Sequence, residues 1–243
     1  MATIGGNSPE HHGLVHHEHR DVSGGWLRPA VFGAMDGLVT NVSLIAGVGG
    51  GGGSQHAILL TGLAGLAAGA FSMAAGEYVS VSSQNELVQS EVDKERHELA
   101  TNAAAEQVEL VGMLRARGIS AATARKAAAE ISVHPDKALT VHAMEELGIN
   151  PSELPSPFVA AGASLVSFAV GAIIPLLPFA LGFDALWVTL ALSALAAIVG
   201  GGLVARLTGR PFWRGALRQL VLGGVAAGLT YLIGLAVGGL AAG

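Results

Sequence analysis

Carboxylate side chains recur at helical spacing in the polar middle of the chain. Glu91, Glu95 and Glu98 stand at i, i+4 and i+7, so a helix presents all three on one face. Glu106 and Glu109, three residues apart, share a face farther along. Carboxylates on adjacent helices are how helical bundles bind metal ions, and oxygen ligands suit Fe²⁺, Mn²⁺, Ca²⁺ or Mg²⁺. From the residues alone, a metal site and a merely acidic surface are equal alternatives.

Further acidic residues close this segment. Glu145 and Glu146 follow His142 and Met144 within about one helical turn. Imidazole is a borderline ligand that suits Fe²⁺ as well as Zn²⁺. The segment has no Ca²⁺-loop pattern of the EF-hand type, and the chain has no cysteine, which excludes thiolate ligands and disulfides.

Three residues of chemical interest lie in apolar sequence instead. Asp36 falls near the middle of the first apolar stretch, where a charge costs ~2.5–3.5 kcal/mol. The default interpretation is an ion or proton site, and the alternative is a protonated acid hydrogen-bonded to a neighbouring helix. Met73 and, one turn later, Glu77 lie in the second stretch. Packing is the ordinary explanation for Met73, and contact with the membrane interface is the alternative for Glu77.

The composition is that of a membrane protein that positions these residues on helices. The chain has 243 residues, of which 51% are hydrophobic and only 13% charged, and its mean hydropathy is +0.54. Soluble domains carry about 25% charged residues. Five apolar stretches are long enough to span a bilayer as helices: about Leu27–Val48, Ala57–Val81, Phe158–Leu181, Ala185–Ala205 and Gly215–Leu240.

The positive charges predict the orientation. All 13 Lys and Arg residues lie before or at the start of the first stretch, in the polar segment, or between the end of the fourth stretch and the first turn of the fifth. The loops at 49–56 and 182–184 have none. Because positive charge stays on the cytoplasmic side, the N-terminus and the polar segment are expected to be cytoplasmic and the C-terminus extracytoplasmic. The first 25 residues lack an apolar signal-peptide core, so the first span is expected to direct its own insertion.

These patterns predict an all-α membrane protein with five transmembrane helices and a cytoplasmic helical insert between the second and third. The predicted domains are a cytoplasmic His-rich tail (1–26), transmembrane helices 1 and 2 (27–81), an acidic metal-binding domain (82–156) and transmembrane helices 3 to 5 (157–243). The tail's histidines are expected to bind metal weakly, if at all. In the insert, the second span continues to about Leu99 and is followed by three short helices: Ala104–Arg117, Ala121–Val133 with Ser120 as N-cap, and a last helix from Pro135 to Gly148.

Several segments resemble the vacuolar iron transporter family, over nearly the whole chain. They are His-Glu-His at 17–19, Phe-Gly-Ala-Met-Asp-Gly-Leu-Val-Thr-Asn at 32–41, Ala-Gly-Val at 46–48, Phe-Ser-Met-Ala-Ala-Gly-Glu-Tyr-Val-Ser at 71–80 and Ile-Pro-Leu-Leu-Pro-Phe at 174–179. The resemblance implies a homodimer of five-span subunits that exchanges cytoplasmic Fe²⁺ for protons. It also implies a metal path along the dimer axis, lined by Asp36 and Met73.

The resemblance further implies a ligand set in the insert: Glu95, Glu98, Glu106, Glu109 and Glu146. Where the family often has a pair of methionines, this chain has His142 and Ala143, with Met144 displaced. The choice between iron and manganese therefore stays open, with His142 as a possible substitute ligand. Gly33 and Gly37 permit a close helix neighbour, which the resemblance identifies as the first span of the partner subunit.

The sequence therefore predicts a transporter that exports Fe²⁺ or Mn²⁺ from the cytoplasm by proton antiport. The metal is substrate and bound ligand, and no prosthetic group, nucleic-acid partner or enzymatic activity is expected, since no nucleophile–base pair or phosphate loop occurs. The Gly49–Gly53 run is interpreted as a flexible turn. The alternatives are a membrane-anchored metal sensor or storage scaffold and a carrier for another solute. Short loops and Ala/Gly-rich spans suggest a bacterial inner membrane, and a vacuolar membrane would have the same topology.

Overall fold

The computed structural model describes residues 25–241, which form eight α-helices and no strand. The helices are α1 (Leu27–Gly50), α2 (Gln55–Thr101), α3 (Ala103–Ala116), α4 (Ala121–Ser132), α5 (Pro135–Glu146), α6 (Pro157–Ala180), α7 (Leu186–Leu207) and α8 (Phe212–Ala241). The predicted His-rich tail lies outside the described residues, apart from its last two positions.

Five of these helices are long and apolar enough to cross a membrane: α1, α2, α6, α7 and α8. The prediction of an all-α protein with five candidate spans is thus confirmed. Each observed helix begins and ends within about three residues of the predicted stretch, and α2 continues unbroken through the polar segment, as expected. Because α2 has 47 residues, it is ~70 Å long at 1.5 Å per residue, about twice the length of a span.

Helix α1 lies at the centre of the spanning bundle and packs against α2, α6, α7 and α8. Around it, α2 packs on α6, α6 on α7, and α7 on α8, but α2 and α8 do not pack extensively on each other. One side of α1 is therefore left open. We call it the open ridge of α1; its residues repeat every fourth position and are exposed or half-buried: Arg28, Phe32, Asp36, Thr40 and Leu44.

The opposite side of α1 meets α6 at very short range. A Cβ atom added to Gly33 would overlap Ser164 and Ser167 of α6, and one added to Gly37 would overlap the Phe168 carbonyl oxygen. The close approach predicted for these glycines is therefore real, but the identification of the neighbour as the first span of a partner subunit is wrong. A Gly-x-x-x-Gly pattern states only that a neighbour can come close, and α6 of the same chain occupies the surface.

The insert packs on the distal half of α2. Ser120 caps α4 by accepting a hydrogen bond from the Thr123 N–H, as predicted. Helix α5 returns to α2 and buries a small apolar cluster of Val92, Leu139 and Ala143 between the two helices. That packing fixes the rotation of α5 about its axis, and with it the direction in which the polar side chains of α5 point.

Candidate metal-binding site and membrane path

Four side chains from three helices converge in the insert: Glu95 of α2, Glu106 of α3, and His142 and Glu146 of α5. Their ligand atoms all lie within 4.8 Å of one another. We call this group the insert cluster. His142 Nδ1 lies 2.9 Å from a Glu95 oxygen, 3.5 Å from Glu146 and 3.7 Å from Glu106. Three carboxylates and an imidazole around one point form a mixed oxygen and nitrogen donor set for a divalent cation.

Local structure explains how each member reaches this point. Glu95 lies three residues after Val92 on α2, so it belongs to the same buried side of the helix. His142 adjoins Ala143, which is buried in the same apolar cluster, and Glu146 follows His142 by one turn. Glu106 lies in the first turn of α3, just after the bend at Asn102 reverses the chain. The positive end of the α3 dipole also stabilises a negative charge in that position.

Three members of the insert cluster are buried. His142 is fully buried, Glu95 and Glu106 are less than 10% exposed, and the Glu146 side chain is 31% exposed. Among the described residues, one oxygen of each buried glutamate and both ring nitrogens of His142 have no partner in hydrogen-bond geometry, although His142 Nδ1 lies 2.9 Å from a Glu95 oxygen. Unpartnered buried polar atoms are costly, so several that face one another indicate a site built for a ligand that all of them contact.

Burial also changes the protonation of the cluster. Desolvation, and then the negative charge of Glu146, raise the pKa of Glu95 from 4.5 to about 7, against a lowering effect of His142. Burial and the charge of Glu109 likewise raise the pKa of Glu106. A divalent cation would favour the ionised forms of both, so protons and metal compete for the same oxygens near neutral pH.

The remaining predicted ligands lie outside the insert cluster. Glu98 and Glu109 are exposed, yet their charges still raise the pKa of Glu106, which places them at the rim. Glu91 does not belong to the cluster and forms a 2.6 Å ion pair with Lys94. Glu145 points elsewhere and lies 3.0 Å from Arg117.

His142 takes a more central position than the sequence suggested. It lies within 4 Å of all three carboxylates of the cluster, whereas Met144 is 50% exposed and points away from it. The sequence signal for this arrangement was the i, i+4 spacing of His142 and Glu146, which places both on one face of α5.

In the spanning bundle, Asp36 lies on the open ridge of α1. It is half-buried, and Thr40 donates a 3.3 Å hydrogen bond to it from the next turn. The neighbouring Asn41 points the other way and donates a 2.5 Å hydrogen bond to the carbonyl of Ala172 on α6. Asn41 therefore ties α1 to α6, while the Asp36 carboxylate is directed away from that contact.

Met73 lies on α2. It packs against the cluster of Ala70, Phe168 and Ala172, and Phe168 also meets α1 at Gly37, next to Asp36. Glu77 is half-buried one turn closer to the insert. Phe168 thus contacts α2 near Met73 and α1 next to Asp36, and Glu77 lies on α2 between Met73 and the insert.

Comparison with known proteins agrees with this architecture. The sequence profile of the VIT family matches residues 27–235. The chain is 38% identical to a vacuolar iron transporter of Acanthamoeba castellanii over 74% of its own length, an alignment that spans 63% of that relative. It is 36% identical to vacuolar iron transporter homolog 1 of Oryza sativa, over 95% of the chain and 80% of that relative. It is 34% identical to vacuolar iron transporter homolog 3 of Arabidopsis thaliana, over 85% of the chain and 80% of that relative.

The profile match covers four candidate spans, the insert and most of the fifth span, and the resemblance inferred from short segments is therefore confirmed. The chain belongs to the VIT family.

Proposed function

We propose that this protein transports a divalent transition metal, Fe²⁺ or Mn²⁺, out of the cytoplasm in exchange for protons. The observation that carries the proposal is the insert cluster, a largely buried donor set whose Glu95 lies on the same continuous helix as Met73 and Glu77. The names of the relatives, vacuolar iron transporter and its homologs, favour iron as the substrate. The metal is cargo in this scheme, and the protein needs no prosthetic group and catalyses no covalent reaction.

The proton coupling rests on competition for carboxylate oxygens. In the insert, the raised pKa of Glu95 means that metal binding near neutral pH displaces protons. In the membrane, Asp36 is a carboxylate that is costly to keep ionised without a cation. A metal ion that reaches Asp36 and Met73 replaces a proton there, and a proton from the far side releases the metal. The Met73 thioether disfavours Ca²⁺ and Mg²⁺, which require oxygen ligands.

The proposed direction depends on topology. Five spans in series put the insert and the α7–α8 loop on one side of the membrane, and these regions carry nearly all the Lys and Arg residues of the described chain. By the positive-inside rule that side is the cytoplasm, so the insert collects metal from the cytoplasm. Export would then go to the periplasm in a bacterial inner membrane or to the lumen in a vacuolar membrane.

The open ridge of α1 supports a homodimer. A half-buried carboxylate on a face that none of the eight described helices covers needs a further neighbour or water. A second copy related by a two-fold axis would place two Asp36 residues opposite each other and complete the path. The chain has no native cysteine, so Thr40→Cys gives a single reporter on this ridge.

Oxidation of membranes containing Thr40→Cys should yield a covalent dimer, since a disulfide forms only when Cα atoms come within about 7 Å. The matched control is Leu203→Cys, on an exposed part of α7. Equal cross-linking of both variants would mean random collision and would contradict a dimer axis at α1.

Flux in proteoliposomes tests the function itself. Wild-type protein should move Fe²⁺ with opposite proton flow reported by an internal pH-sensitive dye. Asp36→Asn, which keeps the size but cannot ionise, should fold and bind metal at the insert, yet move neither metal nor protons. The control Asp184→Asn, outside the helices, should transport normally. Normal flux in Asp36→Asn would reduce Asp36 to a structural acid, and metal flux without proton flow in the wild type would indicate a uniporter.

The second candidate function is a membrane-anchored metal sensor or storage scaffold. The insert cluster alone favours it, because a set of four ligands, three of them buried, can retain metal without any transport. One measurement separates the two functions. A scaffold would bind metal at the insert cluster but would give no metal flux across the membrane of sealed vesicles.

A further inference from the structure

A basic pocket lies where α7 ends and α8 begins. It has a volume of about 270 Å³ and is lined by Ala205, Thr208, Arg210, Arg214, Gly215 and Arg218. The three arginines recur every fourth residue, so they lie along one side of the loop and the first turns of α8. This pocket takes no part in the metal path proposed above.

The arginines of the pocket have no acidic partner in the part of the chain that the structure describes. Among residues 25–241, no carboxylate lies within ion-pair distance of Arg210, Arg214 or Arg218. All three are exposed, and no acidic residue occupies the first turn of α8. Positive charge near a helix N-terminus is unfavourable because the helix dipole is positive there. An anion bound among these side chains would offset both effects.

The surroundings show where such an anion comes from. Gly215 packs against Gly201 and Ala205 of α7, so the pocket begins at the crossing of two spanning helices. The residues next to it are apolar and exposed: Leu207, Trp213 and Leu217 are each more than 50% exposed. The Arg214 guanidinium lies 5.3 Å from the centre of the Trp213 ring. Exposed tryptophan and leucine beside arginine are typical of the headgroup level of a bilayer.

We propose that this pocket binds the phosphate headgroup of an anionic phospholipid from the leaflet that faces the insert. The guanidinium groups of Arg210, Arg214 and Arg218 would donate hydrogen bonds to the phosphate oxygens, a geometry that arginine favours. The acyl chains would lie along the exposed leucines of α7 and α8. Basic pockets between spanning helices bind such headgroups in the same way. The bound lipid joins the α7–α8 loop to the membrane surface on the side where metal enters.

The test compares two double variants of the full-length protein with equal loss of charge. Arg214→Gln/Arg218→Gln removes two pocket arginines. Arg28→Gln/Arg206→Gln removes two arginines outside the pocket, at the start of α1 and near the end of α7. Each protein is purified in detergent and titrated with phosphatidylglycerol or with phosphatidylcholine, and bound lipid is counted by mass spectrometry of the intact protein.

The wild type and the control variant Arg28→Gln/Arg206→Gln should retain phosphatidylglycerol in preference to phosphatidylcholine. The pocket variant should bind phosphatidylglycerol about 30-fold more weakly, from two lost arginine contacts. Equal loss in both variants would show a diffuse surface effect and overturn the proposal. So would equal retention of both lipids by the wild type.

Two further arms identify the source of the anion. Inorganic phosphate at millimolar concentration should neither displace phosphatidylglycerol nor raise the melting temperature. Full displacement would mean that the ligand of the pocket is free phosphate and not a lipid headgroup. In lipid-free detergent the pocket variant should melt at the wild-type temperature. A large drop there would mean that the arginines bind protein carboxylates, and the lipid proposal would fail.

Discussion

Replacing Glu95 by glutamine should stabilise the metal-free protein and remove most of its stabilisation by metal. Burial raises the pKa of Glu95 from 4.5 to about 7, so the folded state retains a proton that the unfolded chain releases. Between those two pH values the folded state binds more protons than the unfolded state. The stability of the metal-free protein therefore falls as the pH rises through this window. Glutamine cannot ionise, so this loss of stability is absent from the variant.

The size of the effect follows from the same pKa. A rise from 4.5 to about 7 corresponds, at ~1.36 kcal/mol per pH unit, to an upper limit of about 3 kcal/mol at pH 8. The Glu95 side chain is only 9% exposed, so screening by solvent reduces this value little. At ~2–4 °C per kcal/mol, Glu95→Gln should melt roughly 6–12 °C above the wild type at pH 8. The difference should shrink toward zero near pH 4.5.

The assay is thermal melting of the detergent-solubilised protein from pH 5 to 8, with EDTA or with Mn²⁺. Metal at about 1,000 times its Kd should reverse the order at pH 8, because it stabilises the wild type by ~4.1 kcal/mol, more than the difference of about 3 kcal/mol, and the variant lacks one ligand. Glu91→Gln is the matched control, since Glu91 lies one turn earlier and is an exposed partner of Lys94. Exposed ion pairs contribute ~0–1 kcal/mol to stability, so Glu91→Gln should change the melting temperature little, either with EDTA or with Mn²⁺.

One result would refute the reasoning directly. If Glu95→Gln melts below the wild type at pH 8 in EDTA, then Glu95 is ionised and stabilising without metal. An ion pair with protonated His142, 2.9 Å away, would then hold the insert together, and the cluster would be structural.

Three further predictions follow. His142→Ala should weaken Fe²⁺ binding more than Mn²⁺ binding, because imidazole suits iron better than manganese, as measured by competition calorimetry. Gly37→Ala should lower the melting temperature by several degrees, since its Cβ would overlap the Phe168 carbonyl. The control Gly76→Ala, whose Cβ would enter open space, should leave the melting temperature unchanged. A reporter inserted at Gly118 should read as cytoplasmic and one fused after Gly243 as extracytoplasmic; both on one side would contradict five spans.

Helix boundaries could be predicted from the sequence because their signals are local. A run of apolar residues determines a span, and Ser120 determines the start of α4. Helix α2 continues past the membrane because it contains no proline and has no glycine after Gly76. Helix pairing could not be predicted, because it depends on which surfaces fit. Gly33 and Gly37 indicated a close neighbour, but only the packing of Ser164, Ser167 and Phe168 identifies that neighbour as α6.

The candidate site shows the same division between local and tertiary information. Spacing placed Glu95 and Glu98 on nearby faces of one helix, yet the packing of Val92 against α5 decides that Glu95 is buried and Glu98 exposed. Likewise Glu106 is buried and Glu109 exposed, although both belong to α3. A helical wheel cannot separate such pairs, because the rotation of a helix is set by its neighbours.

The distance between the two proposed metal positions constrains how the protein can work. Met73 and Glu95 are 22 residues apart on one unbroken helix, which is ~33 Å at 1.5 Å per residue. No side chain bridges that distance, so an ion must leave the insert cluster completely before it reaches Asp36. A cluster that held metal too tightly would stop transport. The raised pKa of Glu95, about 7, acts against such tight binding, because at neutral pH a proton competes with the metal for one of the four ligands. A storage protein would need the opposite, a site whose carboxylates stay ionised at cellular pH.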